Sequence, residues 1–254
     1  MKETIDRGTL KRTIVLDEEY EMHFLDESNI DEIVDLQNEV ASCLKNPETF
    51  AMDSREFILN EVLHKDKGRA IGVFAHNRLI AFRTVSFPGM SQSNMGRELG
   101  LSEGELEHVV HLEATVVHPE YRGNKLQAKM MKHTFNIVYR MGYYHVLCTV
   151  SPFNYPSLKN VIDGGLVIKA LGQREGPYNG KWRFLLHRDL RYTATKEYRC
   201  SIEVENEKLH KQKEILNKGY EGFLISRSRY MNDEFMIHYG IPYENDMKCD
   251  NRLS

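Results

Sequence analysis

Residues 116 to 127 read VVHPEYRGNKLQ, and this stretch decides the fold. An apolar strand passes through a tight turn at Arg122 and Gly123 directly into a helix. The first turn of a helix has backbone N–H groups without intrahelical partners and carries the positive end of the helix dipole, so it suits a pyrophosphate. Neither GxGxxG, the dinucleotide-binding string, nor GxxxxGK[ST], the P-loop string, occurs at this junction. The turn therefore predicts a phosphate-bearing ligand of another kind.

Strands and helices alternate on both sides of this turn. The helix after the turn extends to Arg140, and an apolar strand over 144 to 150 completes a strand–helix–strand unit. Over residues 20 to 190 the apolar periodicity predicts the order strand, two helices, three strands, helix, strand, helix, two strands. We therefore predict an α/β fold with a central mixed sheet of about seven strands flanked by helices.

The chain also has room for an appendage. Residues 1–190 form the predicted main domain, and after Leu190 the pattern restarts with a strand, a helix and a strand. The segment 191–254 is too short to bury much core alone. We expect a C-terminal α/β extension that packs on the main domain or on a partner subunit, as in a homodimer.

Composition excludes several classes of protein. Hydrophobic residues make up 41% and charged residues 28% of the 254 residues, which is typical of a globular protein. No stretch approaches the ~18 apolar residues of a membrane span, and a net charge of -3 without a run of base-stacking aromatics argues against nucleic acid. The four cysteines lie far apart without a CxxC pair, which argues against disulfides and structural zinc. We expect a cytoplasmic protein without membrane or nucleic-acid partners.

The turn resembles that of the GNAT superfamily, acyl-CoA-dependent N-acetyltransferases whose pattern is Arg/Gln-x-x-Gly-x-Gly/Ala after Val-x-Pro. The matching stretches are 117–119, Val-His-Pro, and 122–124, Arg-Gly-Asn. Lys125 stands at the central Gly of the pattern and Gln127 at its final position. We expect ordinary dihedrals for Lys125 near a helix N-terminus, and a charge that complements phosphate. The order of elements over 20 to 190 is also that of the family.

The resemblance implies acetyl-CoA as cosubstrate and a set of residues that bind it. The pantetheine arm inserts between the strand before the turn and the strand that ends at Val150. The implied contacts are Val116, Val117, Arg122, Gly123, Asn124, Lys125, Leu126, Gln127, Asn154 and Ser157. The alternative for the two valines is an ordinary place in the core, and for Asn154 and Ser157 it is capping of the next helix.

Two residues of the strand before the turn are candidates for the chemistry. Glu113 lies where several members of the superfamily place a carboxylate that deprotonates the amine, and a half-buried carboxylate has a raised pKa that suits a base. The alternative is an ion pair with Arg83. His111 shares a face with Glu113 if the strand alternates regularly, so it is the second candidate, for a relay or a substrate contact. A bulge would shift that face. We expect no metal.

A proton donor for the leaving thiolate is harder to find. Many family members use a tyrosine on the helix after Val150, and that position is Val161 here. Tyr155, Tyr178 or water remain as donors, of which Tyr155 is our candidate. Cys148 lies within an apolar strand and is expected to be an inert core thiol, which argues against an acyl-cysteine intermediate.

The predicted function is transfer of an acetyl group from acetyl-CoA to a primary amine by direct attack. The long loop at 87 to 108 should cover the acceptor side and leave little room for a protein, so a small-molecule amine is expected, with peptide N-termini as the alternative acceptor. The alternative is a catalytically silent acyl-CoA-binding sensor or scaffold with the same fold, suggested by Lys125, Val161 and the C-terminal extension.

Overall fold

The computed structural model describes residues 3–11, 18–44, 50–192, 197–227 and 235–243. The chain divides into two units. The first comprises Met1–Ser91 and Val110–Arg140, and the second comprises Gln92–Val109 and Met141–Ser254. No described helix is both long and apolar enough to cross a membrane.

The described residues form eleven strands. Their bounds are β1 (Thr4–Leu10), β2 (Glu18–Phe24), β3 (Gly68–Ala75), β4 (Arg78–Ser86), β5 (Val109–Val117), β6 (His145–Val150), β7 (Val167–Arg174), β8 (Lys181–Asp189), β9 (Tyr198–Glu205), β10 (Glu221–Arg227) and β11 (Phe235–Pro242). The fold class is the predicted α/β one, with more strands than the predicted seven.

Six α-helices accompany these strands in the described part of the chain. Their bounds are α1 (Ile30–Ser42), α2 (Arg55–Phe57), α3 (Glu103–Leu106), α4 (Leu126–Arg140), α5 (Tyr155–Asp163) and α6 (Leu209–Asn217). The second predicted helix is mostly a π-helical turn, because α2 continues as Ile58–Val62, where Leu63 N–H donates to the Ile58 carbonyl over 2.8 Å.

In the first unit, strands β1 to β5 follow one another in an antiparallel order. The turn between β3 and β4 has positive φ at both His76 and Asn77, +47° and +59°, as a two-residue hairpin requires. One core cluster packs Leu126 and Met130 of α4 against one face of the sheet, and another packs α1 and the π-helical turn against Phe82 and other residues of the opposite face. The sheet is therefore covered on both faces.

In the second unit the strands are antiparallel in the order β6, β8, β7, β10, β11, β9. Strand β10 meets β7 at Gly222 and Ile168. A Cβ at position 222 would lie 2.9 Å from Cδ1 of Ile168, so only glycine allows this close approach. The fully buried Tyr239 donates its hydroxyl hydrogen to Oε1 of Gln212 on α6, at 2.6 Å.

The C-terminal region thus continues the antiparallel order of its own unit. Strand β11 pairs with β10 on one side and with β9 on the other, and α6 packs on β7. Strands β1 and β11 did not emerge from the sequence patterns. The boundary at residue 190 stays a prediction, since the described strands beyond it belong to one unit with β6, β7 and β8.

The loop that interrupts the sequence pattern is folded. Asn94 holds it together, because its Nδ2 donates to the Leu106 carbonyl over 3.0 Å and its Oδ1 accepts from Gly96 N–H over 2.8 Å. The side chains of Leu99 and Leu101 pack onto the cluster of Val109, Leu147 and Leu185. Within the loop, Glu103–Leu106 form α3.

Candidate active site

Strand β5 ends in a turn whose backbone is set for the start of α4. His118 caps the 3-10 turn at Pro119–Tyr121, with Nδ1 accepting from Glu120 N–H at 3.2 Å. Gly123 then takes a φ of +86°, and a Cβ there would meet nothing within 4 Å. The glycine is needed for its dihedral angle and not for space. Its exposed backbone is left open to a ligand.

The prediction for Lys125 is wrong. Its φ is +57°, in the left-handed region, and not the ordinary value expected near a helix N-terminus. Its carbonyl accepts the N–H of Lys129 at 3.0 Å, the first hydrogen bond of α4, so Lys125 is the last residue before the helical dihedrals begin. A side chain in this conformation costs about 1–2 kcal/mol, which explains why the family pattern has glycine here.

Asn124 ties the turn to the end of β1. Its Oδ1 accepts from Lys11 N–H at 2.7 Å, and its Nδ2 donates to the carbonyls of Lys11 at 2.9 Å and Tyr121 at 3.0 Å. The amide group therefore holds the backbone of the turn. No local sequence pattern indicated this role, because Lys11 lies more than a hundred positions away.

The remaining residues of the turn are divided between the core and the surface. Leu126 is buried with Met130 in the cluster under α4, while Arg122 and Lys125 are exposed and Gln127 is half-buried. The first-turn N–H groups of α4 and these two cations complement a diphosphate. Val116 and Val117 pair with Phe82 and Ala81 of β4, and their side chains enter the two opposite core clusters.

A bulge in β5 sets the position of Glu113. Between the pairs Val85–Leu112 and Arg83–Thr115, β5 contains one residue more than β4. Thr84 fills the gap in the ladder. Its Oγ1 accepts from Ala114 N–H at 2.9 Å and donates to the Ala114 carbonyl at 3.3 Å. The bulged backbone is therefore satisfied, and the regular alternation stops at Glu113.

Among the described residues, Glu113 receives a hydrogen bond from a serine hydroxyl and forms no ion pair with a lysine or arginine. The Oγ of Ser86 donates to Oε1 of Glu113 over 2.5 Å, and Nδ1 of His111 lies 3.9 Å from the same oxygen. Within the described ranges, no arginine or lysine, Arg83 included, forms an ion pair with this carboxylate. Burial raises the pKa of Glu113, and the Ser86 hydrogen bond opposes that rise.

Asp53 is a second carboxylate of this region, and the sequence reasoning missed it. The side-chain amide of Gln37 holds its backbone, donating to the Asp53 carbonyl at 2.8 Å and accepting from its N–H at 3.2 Å. Oδ2 of Asp53 is buried and has no hydrogen-bond partner in the described residues. Burial, together with the negative charge of Glu113, raises the pKa of Asp53 to about 7. Only the folded chain brings these residues together.

The comparison with known families decides the identity. A family model described as "Acetyltransferase (GNAT) family" matches residues 30–160, just over half of the chain. The chain belongs to the GNAT acetyltransferase family. It is therefore an acyltransferase, and acetyl-CoA is its cosubstrate. No curated protein matches the sequence.

Solved structures of GNAT proteins share the fold at low sequence identity. A GNAT-family acetyltransferase from Streptococcus pneumoniae is 13% identical, with a TM-score of 0.50, over 67% of this chain and 98% of that chain. NAA60 of Arabidopsis thaliana, solved with acetyl-CoA, is 12% identical, with a TM-score of 0.53 over 67% and 98%. The ribosomal-protein-S5-alanine acetyltransferase of Vibrio fischeri is 13% identical, with a TM-score of 0.50 over 72% and 96%.

The other predicted site residues of this GNAT protein lie in the second unit. Oδ1 of Asn154 accepts from Ser157 N–H at 3.1 Å, so the capping of α5 that was the alternative for these two residues is present. The ring of Tyr155 packs edge-on against Phe235, at 5.2 Å between centroids, with the guanidinium of Arg227 at 4.9 Å.

Further positions of the second unit bear on the chemistry. Val161 is buried at the position where many family members have tyrosine, and Cys148 is buried within β6. Within the described ranges, no group of three or more His, Cys, Asp or Glu side chains could hold a metal ion.

Proposed function

We propose that this GNAT protein transfers the acetyl group of acetyl-CoA to the primary amine of a small molecule, by direct attack and without an acyl-enzyme. The observation that carries the proposal is the Glu113 carboxylate, which Ser86 holds at a strand bulge and which forms no ion pair with a described lysine or arginine. A carboxylate paired with arginine would be a poor base, whereas a desolvated one with a raised pKa can take a proton from an amine.

Glu113 acts on the acceptor before the carbon–nitrogen bond forms. A primary amine has an unperturbed pKa near ~10 and arrives as ammonium at neutral pH. The carboxylate of Glu113 accepts one proton from it, and the nitrogen lone pair becomes available for attack on the thioester carbon. The amine displaces the thiolate, which takes up a proton. His111, within 3.9 Å of the Glu113 carboxylate, is the second residue that we propose for the proton path.

Asp53 modifies this step through its charge. Burial of Asp53 and the negative charge of the nearby Glu113 raise the pKa of Asp53 to about 7, so near neutral pH part of the molecules carry a negative charge on Asp53. A negative charge on Asp53 favours a proton on Glu113, which strengthens Glu113 as a base. The two carboxylates also provide an electrostatic partner for an incoming ammonium group.

The turn after β5 is the proposed seat of the pyrophosphate of acetyl-CoA. The residues of the turn, Arg122 to Gln127, supply first-turn N–H groups and two positive charges. The backbone of Val116 and Val117, with Asn154 and Ser157, is proposed for the pantetheine arm. Support for the role of the turn comes from the positive φ and open surroundings of Gly123, which leave its backbone accessible.

The remaining elements of the proposal concern the thiolate, the acceptor and the compartment. Tyr155 is the proposed proton donor for the thiolate, and the replacement Tyr155→Phe tests it.

The burial of Cys148 within β6 supports direct attack without an acyl-cysteine. We propose a small acceptor because of the length of the loop at 87 to 108, which the sequence predicts to cover the acceptor side. We place the reaction in the cytoplasm.

The experiment is a turnover assay with acetyl-CoA and a panel of primary amines, followed by release of free thiol. The proposal requires at least one small amine to give turnover that Glu113→Gln reduces and that Glu107→Gln, a change at an exposed carboxylate, leaves intact. Acetyl-CoA should also raise the melting temperature, as any ligand of the native state does. Binding without turnover on any amine would favour the silent acyl-CoA sensor instead.

A further inference from the structure

Arg183 of β8 is a buried cation that is paired with no carboxylate of the described residues. Only 5% of its surface is exposed, and its Nε is buried without a hydrogen-bond partner in the part of the chain that the structure describes. No carboxylate of the described residues forms an ion pair with it. Burial lowers the pKa of its guanidinium, which shows how unfavourable the place is for a charge.

Other arginines of the same unit have partners. Arg174 of β7 forms an ion pair with Glu98 at 2.7 Å, Arg188 donates to the Gly164 carbonyl at 2.6 Å, and Arg191 pairs with Asp189 at 2.6 Å. Buried charges in proteins are normally paired in this way, because desolvation of a lone ion is costly. Unlike these three arginines, Arg183 has no such partner among the described residues. An anion that binds from solution would compensate its charge.

The surroundings of Arg183 are organised around its guanidinium. The ring of Tyr178 lies against it, with Cζ at 4.5 Å from the ring centroid. Thr149 of β6 fixes that ring by donating its hydroxyl hydrogen to the Tyr178 oxygen at 3.1 Å. An aromatic ring against a guanidinium leaves the N–H groups at the edge of the plane, where they bind a carboxylate side-on.

There is also space beside Arg183. Its partner across the β7–β8 ladder is Gly172, and a Cβ at that position would meet nothing within 4 Å. Side chains that oppose each other in an antiparallel ladder project from the same face, about 5 Å apart. The absence of a side chain at 172 therefore leaves room on the face from which Arg183 projects.

We propose that Arg183, Tyr178 and Gly172 form a binding site for the carboxylate group of a small molecule. A carboxylate is planar and carries a single negative charge, so it matches one guanidinium in shape and in charge. A phosphate near neutral pH carries up to two charges and would leave an uncompensated negative charge in a buried place. This site is separate from the roles proposed for Glu113 and the turn after β5, and it stands whether or not they hold.

The test measures melting temperatures of the full chain in sodium propionate and sodium benzoate, against sodium chloride and sodium phosphate at equal ionic strength. We expect about 50 mM propionate or benzoate to raise the melting temperature by at least about 2 °C relative to chloride, because it binds only the native state. Phosphate should give less than half of this rise. An equal rise with phosphate would overturn the assignment to carboxylate, and no rise with either carboxylate would overturn the site.

Three variants locate the effect. Arg183→Met should abolish the rise and melt no lower than the unchanged protein in chloride, because it removes an unpaired buried charge. Gly172→Leu should abolish the rise by filling the space while Arg183 stays. Arg174→Met, the matched control at a paired arginine, should keep the rise. If Arg183→Met retains the rise, the carboxylate binds elsewhere and the proposal is wrong.

The proposal can also be tested on the unchanged protein, so the result does not depend on whether a variant folds. The Nε–H resonance of Arg183 in the unchanged protein should shift on titration with propionate and reach saturation, while that of Arg174 should stay in place. If the Arg183 signal does not respond at the propionate concentration used for the melts, the proposal fails regardless of the melting temperatures.

Discussion

Ser86 donates its hydroxyl hydrogen to Glu113 over 2.5 Å, and the bulge in β5 lies next to this pair. Ser86 pairs with His111 in the ladder, so the hydroxyl, the imidazole and the carboxylate come from neighbouring positions of two strands. A regular strand would place Glu113 at a different angle to Ser86. The bulge is therefore the structural feature on which the proposed base depends.

Thr84 offers a way to loosen the bulge without touching Glu113. The change Thr84→Val removes both hydrogen bonds to Ala114 and leaves a buried N–H group unsatisfied. We expect a loss of about 1–3 kcal/mol in the free energy of unfolding and a fall in kcat/KM for the amine of at least about tenfold, as is typical of a displaced base. Denaturant titration and initial-rate kinetics measure the two effects.

Thr84→Ser is the control, because it keeps the hydroxyl and loses only a methyl group. It should retain most of both stability and activity. If Thr84→Val and Thr84→Ser behave alike in kinetics, the bulge does not position Glu113.

The raised pKa of Asp53 predicts that the folded chain loses stability as the pH rises. Its pKa in the folded chain is raised to about 7, whereas in the unfolded chain it is about 3.9. The folded state therefore binds more protons between these values, and stability falls as the pH rises from about 4 to 7. The variant Asp53→Asn lacks this loss and keeps the backbone hydrogen bonds to Gln37.

We expect Asp53→Asn to melt at least about 3 °C above the unchanged protein at about pH 8 and to show little gain at about pH 4. Thermal melts at both values, with Asp66→Asn as an exposed control, measure the difference. A variant that is less stable than the unchanged protein at the higher pH would mean that the Asp53 charge is compensated.

Replacement of Lys125 by glycine should remove backbone strain from the folded chain. Because its φ is +57°, Lys125→Gly relieves the left-handed strain, while Lys125→Ala removes the same charge and keeps the strain. We expect the glycine variant to be more stable than the alanine variant by about 1 kcal/mol. Equal free energies of unfolding for the two variants would contradict the assigned backbone conformation.

The C-terminal region should be required for an intact second unit. Termination of the chain after Leu190 removes β10 from β7 and Phe235 from Tyr155, and exposes apolar surface on the strands that remain. We predict aggregation or a changed oligomeric state, measured by size-exclusion chromatography with light scattering. A truncated chain that stays soluble, with unchanged size and activity, would show that the region is dispensable.

Apolar periodicity predicted most of the elements of this fold from the sequence. Helix α5 is one of these elements, because Leu158, Val161 and Ile162 recur at helical spacing after a capping Asn154. Strand β1 was not predicted because Leu10 is its only fully buried residue, so its sequence shows little alternation of apolar and polar residues. Strand β11 was also not predicted, although its sequence carries a signal. Phe235, Ile237 and Tyr239 alternate with less buried residues.

The candidate site was predictable only where its parts are local. The turn after β5 and the position of Glu113 follow from one continuous stretch of sequence. Asp53, Ser86 and Thr84 affect Glu113 through pairing and burial over distances in sequence that no local pattern spans. The glycine in the family pattern indicated the left-handed dihedral angle of Lys125. The ordinary angle expected near a helix N-terminus was wrong, because Lys125 lies before the first residue of α4.

The pH dependence of kcat/KM for Glu113→Gln measures whether Glu113 is the general base. The amide keeps the shape and loses basicity, so kcat/KM near neutral pH should fall by about 10²- to 10⁴-fold. Acetyl-CoA affinity should barely change. Higher pH should partly rescue the variant, because the amine then loses its proton in solution near its own pKa of ~10. A Glu113→Gln variant that keeps the original kcat/KM across this pH range would contradict the account and make His111 the next candidate for the base.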